Sequence, residues 1–253
     1  MIELTARIDR FPTAGSWTIS RGTVTEVIVV TVTARDGDHS GHGECRPYPR
    51  YDETPEGVIG EIEGLAGRIG EGFDLAALQT AMPSGAARNA VDCALWDLMA
   101  KRTGKRVWEL AGLPVPHPEI TAYSLSLDTP DAMEKKAAEN TNKPLLKVKL
   151  GGDGDLDRLR AVRRGAPDAR IIIDANEGWD LATYRELAPV IVNLGIEMVE
   201  QPLPAASDDP LMGADRPLPV CADEAAHDRA SLAALKGKYD MVNIKLDKTG
   251  GLT

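Results

Sequence analysis

PLLKVKL (144–150), RIIIDAN (170–176), IEMVEQP (196–202) and LPVCADE (218–224) are the stretches that decide the fold. Each is a short apolar run ending on ionisable residues, the pattern of a buried strand whose carboxyl end opens onto something polar. EITAYSL (119–125) and DMVNIKLD (240–247) extend the series on either side. Between them lie helix-like runs such as DLDRLRAVRRG (155–165) and LATYRELAPVIVNL (181–194), the second followed by Gly195, a common helix terminator. Strand and helix alternating in this way predict consecutive βα units around a parallel sheet. Tyr123, Lys149, Asp174, Glu200, Asp223 and Lys245 are then separated by 26, 25, 26, 23 and 22 residues, one βα unit each time. In a βα barrel the carboxyl ends of the strands converge on one site. Ionisable groups are costly there unless paired or coordinated, so the series predicts a ring of lysines and carboxylates around a common centre.

Upstream the pattern differs. Residues 2–9 and the β-branched run VTEVIVVTVTA (24–34) read as strands of an antiparallel sheet. Residues 56–69 read as a helix weakened by four glycines, and ARNAVDCALWDLMAK (87–101), entered from Ala86, as a stronger one with its apolar residues on one face. Three prolines within residues 114–118 mark the change of regime. The expected architecture is α/β: an α+β unit over residues 1–112, then a (β/α) barrel over 113–253 that is truncated after its sixth strand. A six-stranded sheet has open edges, so the expectation is that two further units, or another chain, cover them.

With 253 residues, 43% hydrophobic and 27% charged, the chain can bury a sizeable core. A net charge of −10 and an aromatic content of 4% give no support to nucleic-acid binding, and the same charge opposes adhesion to an anionic membrane. No window approaches a membrane span, and the first twenty residues have neither a signal-peptide core nor an arginine-rich presequence. Cys45, Cys93 and Cys221 are odd in number and lack a CxxC spacing, which suits reduced thiols in a cytoplasmic protein. His39, His42, His117 and His227 show no metal-ligand spacing. LGGDGDLD (150–157) fails as a dinucleotide fingerprint, because Asp157 replaces the third glycine, and as a calcium loop; it reads as a strand-to-helix loop.

Asp174, Glu200 and Asp223 offer three carboxylates from successive strands without His or Cys, a hard ligand set that suits Mg²⁺ with positions left for water or substrate. In LLKVKL the period of two places Lys147 and Lys149 on one face of the strand. Lys245 lies four units further round, so in a barrel Lys149 and Lys245 face each other across the metal. That geometry moves a proton from one face of a carbon to the other: one lysine removes it, the other returns one, and metal plus Lys147 stabilise the enediolate of an adjacent carboxylate.

KVK, IIIDAN, VEQP, CADE and NIKLDKTGGLT, with ISRGT (19–23), GECRPYPRY (43–51) and AARNAVDCALWDL (86–98), resemble the enolase superfamily in its muconate-lactonizing branch, and within it the L-Ala-D/L-Glu type of dipeptide epimerase. The resemblance places the metal ligands on Asp174, Glu200 and Asp223 and the acid/base pair on Lys149 and Lys245. It implies that the amino-terminal domain caps the barrel and that Arg21 in ISRGT meets the substrate's glutamate carboxylate. It also implies an isomerase acting on a small dipeptide in the reuse of cell-wall peptide, with a homo-oligomer allowed. Two departures stand out: Ala225 occupies a position where relatives often carry serine, and the acidic pair that receives the dipeptide's ammonium group in the last barrel unit has no counterpart. The alternatives are a cycloisomerase or o-succinylbenzoate synthase-like enzyme of the same superfamily, and a catalytically incompetent fragment.

Overall fold

Strand-forming and helix-forming patterns segregate along the chain, and so do the sheets they build. The structure is a computed structural model that describes residues 2–69 and 72–253. Contacts between Cα atoms divide it into two compact units, one of residues 1–12, 26–117 and 244–253, the other of residues 13–25 and 118–243.

In the first part of the chain β1 (Glu3–Ile19), β2 (Gly22–Asp36) and β3 (His39–Cys45) form a three-stranded sheet in that order. It is followed by helices α1 (Pro55–Ala66), α2 (Leu75–Ala81), α3 (Ala86–Thr103) and the short α4 (Val107–Leu110). β1 runs well past the expected residue 9, through Pro12 and Gly15, because it is an edge strand and an edge tolerates a residue that cannot donate to the ladder. α1 stops at Ala66 rather than residue 69, with Gly67 as its C-cap, and starts at Pro55 with the Thr54 side chain accepting the Gly57 N–H. β3 has no strand signature in its sequence, HSGHGEC, because its composition answers to a helix: a Cβ at Gly41 or Gly43 would overlap the α3 backbone at Ala90, Ala94 and Leu98. Val30, Val32 and Ala34 of β2, Ile62 and Leu65 of α1, Leu78 of α2, and Ala90, Val91, Ala94 and Leu98 of α3 form the buried core of this unit. Burying a Val or Leu side chain stabilises by roughly 1.5–3 kcal/mol, which is how so small a sheet holds its helices.

The second unit is the expected parallel sheet. β4 (Tyr123–Leu125), α5 (Pro130–Ala138), β5 (Leu145–Lys149), α6 (Asp155–Gly165), β6 (Arg170–Asp174), α7 (Leu181–Asn193), β7 (Ile196–Glu200), β8 (Val220–Ala222), α8 (Leu232–Leu235) and β9 (Met241–Val242) succeed one another, and the sheet order is β4-β5-β6-β7-β8-β9. α9 (Leu246–Thr249) closes the chain and is grouped with the first unit. Leu146 and Val148 of β5 are fully buried while Lys147 and Lys149 alternate with them on the other face, as the period of two requires. Leu125, Leu159, Ile171, Ile173, Ile191, Val199 and Val220 complete this core. The pairing of β6 with β7 holds one irregularity. Ile171 pairs with Ile196 but Ile173 pairs with Val199, so β7 carries one extra residue between them. Without that bulge Asp174 would lie beside Val199; with it, Asp174 lies beside Glu200.

The three cysteines are free thiols. Burial pushes Cys93 up to about 11 and Cys221 up to about 12, with nearby carboxylates adding to the effect, so neither is a ready nucleophile. Among the described residues no helix is long and apolar enough to cross a membrane.

Candidate active site

Parallel pairing sets the site's first dimension. Lys149 lies beside Asp174 across β5 and β6, and Asp174 beside Glu200 across β6 and β7. Asp223 comes directly after β8, and one carboxylate oxygen from each of Asp174, Glu200 and Asp223 lies within 4.8 Å of the others. All three acids are buried. The lysines of β5 close on them: Lys149 Nζ donates to Asp174 Oδ2 at 2.5 Å, and Lys147 Nζ bridges Asp174 Oδ2 at 3.0 Å and Glu200 Oε2 at 2.5 Å. The other oxygens of Asp174 and Glu200 are held from behind, Asp174 Oδ1 by the Asn176 N–H at 2.9 Å and Glu200 Oε1 by Asn243 Nδ2 at 3.0 Å.

Burial opposes the charge of Asp174, Glu200 and Lys147, and their neighbours oppose or reinforce it. Burial raises the Asp174 carboxyl, but the ammonium groups of Lys149 and Lys147 outweigh it and leave Asp174 below its ordinary range. Glu200 goes the other way, pushed up by burial and by the adjacent Asp174 charge. Burial works against the Lys147 ammonium, yet Asp174 and then Glu200 reverse that and raise its pKa. Charges packed this tightly persist only when a function or a counter-ion keeps them there.

The loops after β6 and β7 are strained. Asn176 (φ 47°), Glu177 (φ 65°) and Gln201 (φ 34°) all occupy the left-handed region that non-glycine residues avoid. Gln201, fully buried, explains its own strain by what it reaches. Its Oε1 accepts the N–H groups of Asp223 (2.9 Å) and Ala225 (3.1 Å), and its Nε2 donates to the Leu203 carbonyl (2.9 Å) and Tyr239 Oη (2.7 Å). Tyr239 in turn donates to Asp208, which also receives Lys238. The backbone beside Asp223 is thus tied into a buried polar chain, through a side-chain amide whose orientation is set by four partners.

Arg21 belongs to the second unit through the far end of the β1–β2 hairpin. Its guanidinium meets Glu224 Oε1 at 2.7 Å, Glu177 Oε2 at 3.2 Å and the Asn176 carbonyl at 3.1 Å, while Ser20 Oγ donates to that same carbonyl. Glu224 is buried, its carboxyl raised by burial and by Asp223, and its Oε2 has no hydrogen-bond partner among the described residues.

Six of the seven residues singled out from the sequence, Arg21, Lys147, Lys149, Asp174, Glu200 and Asp223, fall in the second unit. Lys245 is the N-cap residue of α9 and falls in the first. Sequence reasoning passed over Asn176, Glu177, Gln201, Glu224 and Asn243. A clue exists for two of them: Asn243 stands two residues before Lys245 and Gln201 directly after Glu200, at strand ends that carry the candidate lysine and acid.

The donor set fits a hard divalent cation. It is all oxygen, it is buried, it carries three carboxylates against two ammonium groups, and the adjacent Glu224 retains an unsatisfied carboxylate oxygen. Residues 132–253 match the family described as enolase C-terminal domain-like, and residues 1–112 match the mandelate racemase / muconate lactonizing enzyme N-terminal domain. The chain belongs to the enolase superfamily. It is 43% identical over 247 residues to the L-Ala-D/L-Glu epimerase of Escherichia coli K12, covering 97% of this chain and 77% of that protein. A crystal structure of an enolase family member from Agrobacterium tumefaciens, with homology to dipeptide epimerases and with sodium and L-Ala-L-Glu bound, superposes with a TM-score of 0.96 at 52% identity, covering 100% of this chain and 77% of that one. The dipeptide epimerase of Enterococcus faecalis V583, complexed with Mg and L-Leu-L-Tyr, superposes with a TM-score of 0.90 at 27% identity over 99% of this chain and 76% of that one. The chain therefore spans about three quarters of the length of these relatives, and like the epimerases among them it is an isomerase of the superfamily.

Proposed function

We propose that the chain epimerises a dipeptide of the L-Ala-D/L-Glu type, moving a proton from one face of the carbon beside the free carboxylate to the other. The observation that carries this reading is the row Lys149, Asp174, Glu200 on adjacent strands, with Asp223 completing the oxygen cluster. The similarity to dipeptide epimerases supports the choice of substrate class. Asp174, Glu200 and Asp223 would hold Mg²⁺, which when bound supplies positive charge to the substrate carboxylate as the neighbouring carbon loses its proton. Lys147 adds an ammonium on the same side of the site, where enediolate charge develops. Lys149, the last residue of β5, and Lys245, the N-cap residue of α9, are the two acid/base groups: as a neutral amine one takes the α-proton, and as an ammonium the other delivers a proton to the opposite face. Arg21 is the residue we assign to the substrate's side-chain carboxylate, which on arrival replaces Glu224 or Glu177 as its partner.

The test is solvent exchange. In D₂O with Mg²⁺ the protein incorporates deuterium at the glutamate α-carbon of L-Ala-D-Glu and L-Ala-L-Glu while interconverting them, and Lys149→Ala abolishes the interconversion. Cycloisomerase or o-succinylbenzoate synthase chemistry leaves that position unlabelled, and an unlabelled, unepimerised dipeptide sinks the proposal.

A further inference from the structure

Residues 244–253, which start one position before Lys245, are grouped with the first unit, and one face of α3 grips them. Arg88 donates through Nη2 to the Thr249 carbonyl at 2.7 Å and through Nε to the Gly250 carbonyl at 3.1 Å. Asn89 Nδ2 donates to Asp247 Oδ1 at 2.7 Å, and Asp92 Oδ2 accepts the N–H groups of Leu252 and Thr253 at 2.7 and 3.2 Å. Positions 88 and 92 are four residues apart and so share a face of the helix. Asn89 cannot turn its amide over without loss, because its Oδ1 accepts from Cys93 Sγ and its Nδ2 also reaches the Glu44 carbonyl. The approach is close enough to dictate two residues of the segment: Gly250 (φ 82°) and Gly251 (φ 114°) are left-handed, and a Cβ on them would run into the Arg88 guanidinium and the Asp92 carboxyl.

α9 has only four residues, far too few to hold itself together, so its place depends on what it is tied to. Arg88 satisfies carbonyls at its carboxyl end, where a helix leaves them unpaired and favours a cation. At its amino end the Lys245 carbonyl accepts the N–H groups of Lys248 and Thr249, both at 3.0 Å. The Lys245 backbone is therefore fastened to α9, and α9 to α3.

We propose that Arg88, Asn89 and Asp92 are positioning residues for Lys245, so that α3 of the first unit sets the backbone from which one of the two acid/base groups works. This rests on the assignment of Lys245 to that role. The consequence is one-sided. In a two-base epimerase each lysine exchanges the α-proton of one epimer, so loosening α9 slows exchange from the epimer served by Lys245 and spares the epimer served by Lys149. A contribution to overall stability would lower both alike.

The experiment measures α-deuterium incorporation separately from L-Ala-L-Glu and L-Ala-D-Glu by NMR, using the full chain with Mg²⁺. Asn89→Ala is expected to slow one exchange by about 10-fold or more and leave the other within about two-fold, since small displacements of a reacting group cost rate steeply. The epimer affected is the one whose exchange Lys245→Ala abolishes. Arg88→Lys keeps the charge but loses the fork on the two carbonyls, and shows the same asymmetry more weakly. Equal changes for both epimers in both variants, or no change, overturn the proposal. If Lys245→Ala leaves both exchanges intact, the acid/base assignment fails, and the positioning role with it.

Discussion

The two ends of the parallel sheet carry charge in opposite ways. At the carboxyl ends of β5 to β8, Lys147, Lys149, Asp174, Glu200 and Asp223 are largely removed from water and share oxygen atoms among themselves. At the amino ends Arg170 forks onto Glu197 at 2.9 and 2.8 Å, and Arg216 reaches Asp240 at 3.2 Å, with the Arg170 and Glu197 side chains 54% and 40% exposed. Between those poles the strands are the same apolar material. A pair in water is screened and worth little, whereas a buried cluster carries a desolvation cost that counter-charges and hydrogen bonds must offset. The difference teaches that exposure, rather than the number of ion pairs, separates a working end from a supporting one.

The sharpest way to break the comparison is to remove a carboxylate from the buried end. Asp174→Asn takes away an acid that faces both lysines, and is expected to lower kcat/KM for epimerisation by at least about 100-fold. Mg²⁺ titration by calorimetry should show weakened binding in the same variant, and chelation of the wild-type protein should abolish turnover reversibly. Retention of activity with Asn at this position would place the metal elsewhere.

A smaller effect is expected one layer out. Gln201→Leu keeps the volume but orphans the buried N–H of Asp223, worth about 1–3 kcal/mol when left without a partner, and the part-buried N–H of Ala225. Cation affinity should fall by about 10–100-fold, the usual scale for groups that orient ligands, and the denaturation midpoint should fall with it. A lower midpoint with unchanged affinity would make Gln201 a stability residue only.

This layering also explains what was legible in the sequence. The spacing of Lys149, Asp174, Glu200 and Asp223 was visible because a βα unit has a narrow range of lengths and its strands end in one plane. The β7 bulge was not, although it is what brings Glu200 rather than Val199 beside Asp174, because one added residue leaves the apolar run unchanged. Gln201, Glu224 and Asn243 act through backbone amides and partners on other strands, contacts with no periodicity to read. β3 escaped for a related reason: its glycines record the surface of α3 rather than its own strand propensity. Arg21 was legible as a motif residue, but its present partners Glu177 and Glu224 were not, since 156 and 203 positions separate them from it.

The smallest expected effect lies at the exposed end, and it is the one that sharpens the contrast most cleanly. Arg170→Gln removes a two-pronged contact with Glu197 whose distances are those of an ordinary strong ion pair. Glu197 has its pKa lowered first by the hydrogen bond from Arg170, so at neutral pH it stays ionised in either protein and the substitution strands no proton. Both side chains already face solvent, so water replaces the lost partner. Turnover is expected to stay within about two-fold of the wild type, and cation affinity to be unchanged by calorimetry. A large fall in either would mean that geometry without burial is enough, and that the amino ends of the strands are coupled to the chemistry at their carboxyl ends through β6 itself.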